Sequence, residues 1–241
     1  MPVQIIPVSG LPEIRPGDDL AALIRRAAGP DLTPDSILAV AQKIVSKAEG
    51  ALVDLRTIEP SARALDWARQ WNQDPRLVEL VLRHSRRIVR MERGVLIAET
   101  SHGFVAANAG VDRSNIPPPD HATLLPSDPD ASARRLHQAL GCGAVIITDT
   151  FGRPWRLGLV NVAIGVSGLD PLEDLRGAPD RSGRPLQGTV VALADELAAA
   201  SGLVMRKTAG VPAALIQGLQ WIPAEGSARR LVRPPDQDLF R

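Results

Sequence analysis

Two acidic positions stand in segments suited to presenting a carboxylate to a ligand. The first is in Val145-Ile146-Ile147-Thr148-Asp149-Thr150-Phe151-Gly152-Arg153-Pro154-Trp155-Arg156, where an apolar run delivers Asp149 and a hydroxyl, Thr150, before a glycine turn. Sites collect at strand ends in open α/β sheets, and Asp plus Thr supplies hard oxygen donors suited to Mg²⁺ or Mn²⁺. Asp149 fits a simple turn cap equally well. The second is in Gly103-Phe104-Val105-Ala106-Ala107-Asn108-Ala109-Gly110-Val111-Asp112-Arg113-Ser114-Asn115. Small residues there let backbone approach a ligand closely, and Asp112 and Asn115 put a carboxylate and an amide on one loop. Brought near Asp149, Asp112 would complete a site for two divalent ions bridging phosphate oxygens. An ordinary Asx-turn accounts for the same loop.

Cationic segments complement these acids. Lys47 lies in Gln42-Lys43-Ile44-Val45-Ser46-Lys47-Ala48-Glu49-Gly50, read as a strand end passing into a turn at 47–50, where a lysine neutralises phosphate or is simply solvated. Met205-Arg206-Lys207-Thr208-Ala209-Gly210-Val211-Pro212 is a basic, Gly- and Pro-bearing loop after a helix: a phosphate or purine clamp, or a cationic helix end. The arginines 86, 87, 90 and 93 sit on a strand pattern and suit either an anionic ligand or a charged surface. Asp195-Glu196 reads as solvent-facing charge, with a link to a metal as the alternative. The sequence contains no G-x-x-x-x-G-K-[ST] loop, no G-x-G-x-x-G after a strand, no G-x-S-x-G elbow and no H-E-x-x-H. His84, His102, His121 and His137 have no metal-ligand spacing.

The elements that must position these residues are mixed. Apolar patterning predicts strands at 3–8, 37–41, 144–148 with an end at 149–152, 161–166 and 211–216, and a strand–turn–strand over 86–98 around Glu92-Arg93-Gly94. Helices are expected after Pro16-Gly17-Asp18-Asp19 with Asp18 or Asp19 as N-cap, from Glu59-Pro60-Ser61 with Pro60 near the first helical position, from Asp74-Pro75, from the cap Ser127-Asp128-Pro129-Asp130 to about Leu140, and over 189–201 with Gly202 as the residue after the C-cap. The stretch 170–187 reads as loop, and the polar segment after Ala224 as a tail of little order. The fold class is α+β, with mixed sheets flanked by helices in one domain over 1–241.

Composition bounds the function. A chain of 241 residues buries a full core without staples, and its single cysteine, Cys142, leaves no intramolecular disulfide. With 28 Lys+Arg against 27 Asp+Glu, the net charge is +1. That balance, with 3% aromatics and no tyrosine, argues against nucleic acid as a partner. No secretory signal and no membrane-length apolar stretch is present, so a cytoplasmic protein with no membrane partner is expected.

Taken together, these strings resemble the F420-0:gamma-glutamyl ligase family. The resemblance is carried by Gly10-Leu11-Pro12, Gly17-Asp18-Asp19-Leu20, Ser46-Lys47-Ala48-Glu49-Gly50, His102-Gly103-Phe104, Ala107-Asn108-Ala109-Gly110-Val111-Asp112 with Ser114-Asn115, Leu124-Leu125-Pro126, Thr148 to Arg156, Ala194 to Ala198, and the Lys207–Pro212 loop. It runs from about Val3 to Gly218. It implies the family's own α+β fold, a homodimer with the site near the subunit interface, GTP as co-substrate, two Mn²⁺ or Mg²⁺ ions, and K⁺. The substrates it implies are coenzyme F420-0 and L-glutamate. GTP would phosphorylate a deazaflavin carboxylate, and the glutamate amine would attack the acyl phosphate to form an amide, followed by a gamma-linked addition.

Position by position, the resemblance makes Asp112, Asp149 and Thr150 metal ligands, and Asp112, Asp149 and Lys47 the catalytic set. It makes Leu11, Pro12, Glu13, Ile14, Gln42, Lys43, Lys47, Asn115, Met205, Arg206, Lys207, Thr208, Ala209, Gly210 and Val211 the GTP site, with Gln42-Lys43 contacting through backbone. The chain departs from the family at Ala106 (often Cys), Arg206 (often Gly) and His84 (often acidic). Some relatives carry a fused nitroreductase-like domain, and with 241 residues a bifunctional protein is not expected here. The alternatives are a same-fold ligase for another carboxylate and a nucleotide- or metal-binding protein without turnover.

Overall fold

The computed structural model describes residues 2–114 and 119–239. These form six α-helices and twelve strands in four sheets, a mixed α+β organisation. The main sheet has the order β1 (Gln4–Pro7), β12 (Ala213–Gln217), β2 (Ile37–Ala41), β8 (Ala144–Arg153), β9 (Arg156–Ser167). Among the described residues of this sheet only β2 and β8 pair in parallel. Ile37 to Val40 and Ala144 to Ile147 are fully buried in unbroken runs, which requires cover on both faces of the sheet. Helix α1 (Leu20–Ala28) packs on α5 (Pro129–Leu140), and α5 and α6 (Leu193–Met205) both pack on β9.

The edge strand β9 is kept from further pairing by carboxylates. Asp195 accepts the Ala163 N–H at 2.8 Å, and Asp130 accepts the Val166 N–H at 2.9 Å. Gly165 is needed where α5 crosses β9, since a Cβ there would lie 2.4 Å from the Pro129 carbonyl oxygen. Asp130 also accepts from Ser227 Oγ at 2.6 Å and Ala228 N–H at 2.9 Å, and Ala228 is fully buried.

A second buried cluster, including Leu55, Val78, Leu80, Val81, Leu96 and Ala98, lies under α3 (Ala62–Trp71) and α4 (Pro75–Arg83). Its strands are β4 (Ser85–Glu92), β5 (Val95–Thr100) and β6 (Val105–Ala107), with the ribbon of β3 (Leu52–Asp54) and β7 (His121–Thr123). The turn at Glu92-Arg93-Gly94 is present as expected, with Arg93 and Gly94 both at positive φ. No described helix is long and apolar enough to cross a membrane.

Four local expectations are corrected. The segment carrying Lys47 is a helix, α2 (Gln42–Ala48), not a turn. Strand β8 does not end at Asp149 but runs on to Arg153, so Asp149 and Thr150 are mid-strand, held by antiparallel pairing to β9. Helix α6 begins at Leu193, because Val190–Val191 forms β11 against β10 (Glu173–Asp174), and it continues through Gly202 to Met205. In α3 the cap is Ser61, whose hydroxyl accepts the Ala64 N–H, and Pro60 lies outside the helix. Of the pair Asp18-Asp19 it is Asp19 that caps α1, and the side chains of Asp74 and Asp128 cap α4 and α5 at their expected starts.

Candidate active site

The two parallel strands end differently, and this opens the site. β2 stops at Ala41, opposite Thr148, and the chain turns into α2, while β8 continues alone against β9. Asp149 and Thr150 are the first residues of β8 past the end of β2. The carboxylate therefore sits in a crevice at the C-terminal end of the parallel pair, the usual placement in α/β sheets. The crevice is a cavity of about 770 Å³.

Asp112 reaches the same cavity from the second cluster. Three successive left-handed residues, Asn108, Ala109 and Gly110, reverse the chain just before it. Its backbone then exchanges hydrogen bonds with Thr123 at the end of β7 (3.1 and 2.8 Å). The Asx-turn reading is also correct. Asp112 Oδ1 accepts the Ser114 N–H at 2.7 Å and Oδ2 accepts the Ser114 hydroxyl at 3.0 Å. The turn orients the carboxylate and does not exclude its use.

Lysines surround both acids. Lys43 Nζ is 2.7 Å from Asp112 Oδ2 and donates to Ser114 O and Oγ at 2.6 and 2.5 Å. Lys207 Nζ donates to Thr150 Oγ1 at 2.5 Å, and that hydroxyl donates to Asn161 Oδ1 at 2.8 Å. Lys47 Nζ is 2.5 Å from Glu13 Oε1, with its side chain buried. Burial favours the neutral form of Asp112, but Lys43 and the Ser114 N–H outweigh it and hold the carboxyl below the ordinary aspartate value. Asp149 goes the other way. Burial pushes it up to about 6, and the negative Asp112 adds to the rise, against the Thr150 N–H, Lys207 and Lys43. The two acids thus share one electrostatic environment.

Leu11 to Ile14, Gln42, Lys43, Lys47, Asp112, Asp149, Thr150 and Met205 to Thr208 with Gly210 and Val211 all line this one cavity. Ala209 does not line it, and Asn115 lies outside the described residues. The buried Gln42 side chain accepts the Ser46 hydroxyl at 2.9 Å. Arg206 ends α6 at φ 42°, a conformation unfavourable to any residue with a Cβ. One contributor is absent from the sequence reading: Asn161 holds the Thr150 hydroxyl, and the signal for it is a lone amide in an otherwise apolar strand. Lys43, expected to contact through backbone, also acts on Asp112 through its ammonium group.

Among the described residues no group of three or more His, Cys, Asp and Glu side chains is poised around a metal position. Mg²⁺ and Mn²⁺ do not require such a cage, since one or two carboxylates, water and substrate phosphates suffice. The donors fit: hard oxygens only, with two ammonium groups already standing on Asp112 and Thr150 where cations would be held.

The fold and crevice define a class of protein, a mixed α+β domain whose paired carboxylates and lysines suit a polyanion accompanied by cations. Comparison narrows this. Residues 10–218 match the model of the F420-0:gamma-glutamyl ligase family, and the chain belongs to that family. It is 47% identical to the coenzyme F420:L-glutamate ligase of Methanothermobacter thermautotrophicus, over 100% of both chains. Identity to the protein of the same name in Methanopyrus kandleri is 47%, over 99% of this chain and 98% of that one. For the Methanocaldococcus jannaschii protein it is 40%, over 85% and 84%.

Proposed function

We propose that this protein is a ligase that joins L-glutamate to the carboxylate of coenzyme F420-0 with GTP as phosphoryl donor. The observation that carries the reading is the convergence of Asp112 and Asp149, from separate cores, on one crevice ringed by Lys43, Lys47 and Lys207. Full-length similarity to relatives named for this activity supports the choice of substrate.

In this reading the γ-phosphoryl group passes from GTP to a carboxylate oxygen of F420-0, releasing GDP. The glutamate nitrogen then forms the amide bond at the activated carbonyl carbon, and phosphate leaves. Mn²⁺ or Mg²⁺, held by Asp112, Asp149 and Thr150, would neutralise charge on the phosphate oxygens, with K⁺ as a further cation. Leu11 to Ile14 and the 205–211 loop enclose the nucleotide, with Gln42 and Lys43 at its phosphate end. Lys47, fixed by Glu13, supplies positive charge to the transferring group. Asn161 fixes the direction of the Thr150 hydroxyl.

The protein acts as a homodimer in this proposal. The β8–β9 hairpin exposes Trp155, Leu157 and Leu159 by 80%, 95% and 68%, and Leu159 also lines the cavity. Apolar side chains so exposed on one arm call for a partner, and a second copy seated there places the crevice beside the subunit interface.

The test combines the protein with GTP, Mn²⁺, L-glutamate and F420-0, followed by mass spectrometry. A glutamyl mass increment with GDP release is expected. GDP release without the increment assigns the site to another carboxylate, and the absence of both nucleotide binding and turnover overturns the enzymatic reading.

A further inference from the structure

We propose that Lys43 and Lys207 occupy the positions of two cations in the nucleotide-free protein, so that divalent metal enters the crevice with the nucleotide and not ahead of it. The inference rests on the ligase reading above. Lys43 Nζ is surrounded by Asp112 Oδ2, Ser114 O and Ser114 Oγ at 2.7, 2.6 and 2.5 Å. An ammonium group has three donors and no more, so these three oxygens saturate it. Its side chain is 17% exposed, well withdrawn from water.

A divalent ion on Asp112 would stand about 2.1 Å from a carboxylate oxygen, within contact distance of this ammonium. Oδ1 already accepts the Ser114 N–H, so an ion seated on Oδ2 competes with the ammonium for that oxygen against like-charge repulsion, and Lys43 withdraws when metal enters there. Its unbranched stem allows the movement. Without a nucleotide the departing ammonium exchanges a carboxylate for water. With a triphosphate present it exchanges one anion for another. Metal and nucleotide therefore favour each other's binding, and the coupling is reciprocal.

Lys207 repeats the arrangement at the second donor. The Thr150 hydroxyl spends its only proton on Asn161, so its lone pairs face Lys207 Nζ at 2.5 Å. Lys207 belongs to the loop after α6, which lines the same cavity. A nucleotide that draws this loop inward would take up its charge and free Thr150 at the same time.

Mn²⁺ binding by the full chain, followed by the electron paramagnetic resonance of free Mn²⁺ with and without a non-hydrolysable GTP analogue, tests the proposal. The wild-type protein should bind Mn²⁺ at least about tenfold more tightly with the analogue present. Lys43→Met should bind Mn²⁺ roughly tenfold more tightly than wild type without nucleotide, as expected when a partly buried competing charge is removed. Lys43→Arg, which keeps the charge, should retain the weak affinity, and Lys207→Met should gain affinity as Lys43→Met does. Unchanged or weaker Mn²⁺ binding by both methionine variants overturns the proposal while leaving the ligase reading in place. Absence of Mn²⁺ binding by wild type even with the analogue overturns both. Circular dichroism of each variant separates these results from a folding defect.

Discussion

Thr150 and Asn161 face each other across β8 and β9, and the threonine hydroxyl donates to Asn161 Oδ1 at 2.8 Å. This spends the hydroxyl proton on protein and leaves the oxygen able to accept only from the cavity side, where Lys207 meets it. Asn161 is itself confined, since a Cβ on Gly202 of α6 would come within 3.2 Å of its Nδ2. Asn161→Leu frees the hydroxyl to turn. We expect the apparent KM for Mn²⁺ to rise about tenfold, equivalent to roughly 1.4 kcal/mol, with the KM for L-glutamate little changed. Steady-state kinetics at varied Mn²⁺ checks this. An unchanged KM for Mn²⁺ would remove Thr150 orientation from the mechanism.

Asp149→Asn should abolish turnover and leave the protein folded. The carboxyl lies where burial already pushes its pKa up to about 6, so the folded protein holds its charge at a disadvantage. A neutral amide of the same shape relieves that disadvantage while removing the negative charge that catalysis needs. Thermal unfolding in EDTA at pH 8 should therefore give a Tm for Asp149→Asn equal to or above that of wild type, with glutamate incorporation lost. A variant that turns over at near wild-type rate would place Asp149 outside the reaction.

What could be read from the sequence divides along physical lines. Elements with local signals were legible: β2 as an apolar run, and α1, α4 and α5 from the starts at Asp18-Asp19, Asp74-Pro75 and Ser127 to Asp130, where Asp19, Asp74 and Asp128 make the caps. Helix α2 was not, because it starts directly from β2 at Ala41 with no capping side chain. The start of helix α6 was misplaced for the same reason, since Ala192 is a silent cap with no side-chain hydrogen bond. Asp112, Asp149 and Thr150 were legible as residue types, since hard oxygen donors in turn-like segments are recognisable one at a time. Asn161 was not, because its partnership with Thr150 depends on the register of β8 against β9, which includes an irregularity between Ile147 and Thr148. The Lys43 contact to Asp112 is set by the docking of two separate cores, and no local pattern records that.

The β8–β9 arm gives a prediction about assembly. Leu157 and Leu159 are both exposed on β9, on either side of an irregularity at Gly158, with Trp155 at the turn between the strands. Leu157→Lys puts a charge among these exposed apolar side chains. Light scattering with size-exclusion chromatography should show a dimer for wild type and a shift to monomer for Leu157→Lys, without change in circular dichroism. Because Leu159 lines the cavity as well, the monomeric variant should also lose activity at low protein concentration.

Glu79 ties α4 to the start of α3 and makes the second core sensitive to acid. Its carboxylate accepts the Ser61 hydroxyl at 2.6 Å and N–H at 3.0 Å, and Arg83 Nε at 2.8 Å. The Ser61 hydroxyl and Arg83 lower its pKa to about 2 from 4.5, against the opposing effect of burial. A depressed acid stabilises the folded state above its unfolded pKa, and the contribution is lost as pH falls from about 4.5 toward 2. Its size at neutral pH is on the order of 2–3 kcal/mol. Glu79→Gln should accordingly unfold at lower urea than wild type at pH 7, with the difference shrinking steadily as the pH is lowered below 4.5. Trp67 and Trp71 on α3 report this core by fluorescence, their rings 5.7 Å apart. A gap between the two proteins that stayed constant from pH 7 to pH 3 would mean that the ionised carboxylate is not the source of the tie.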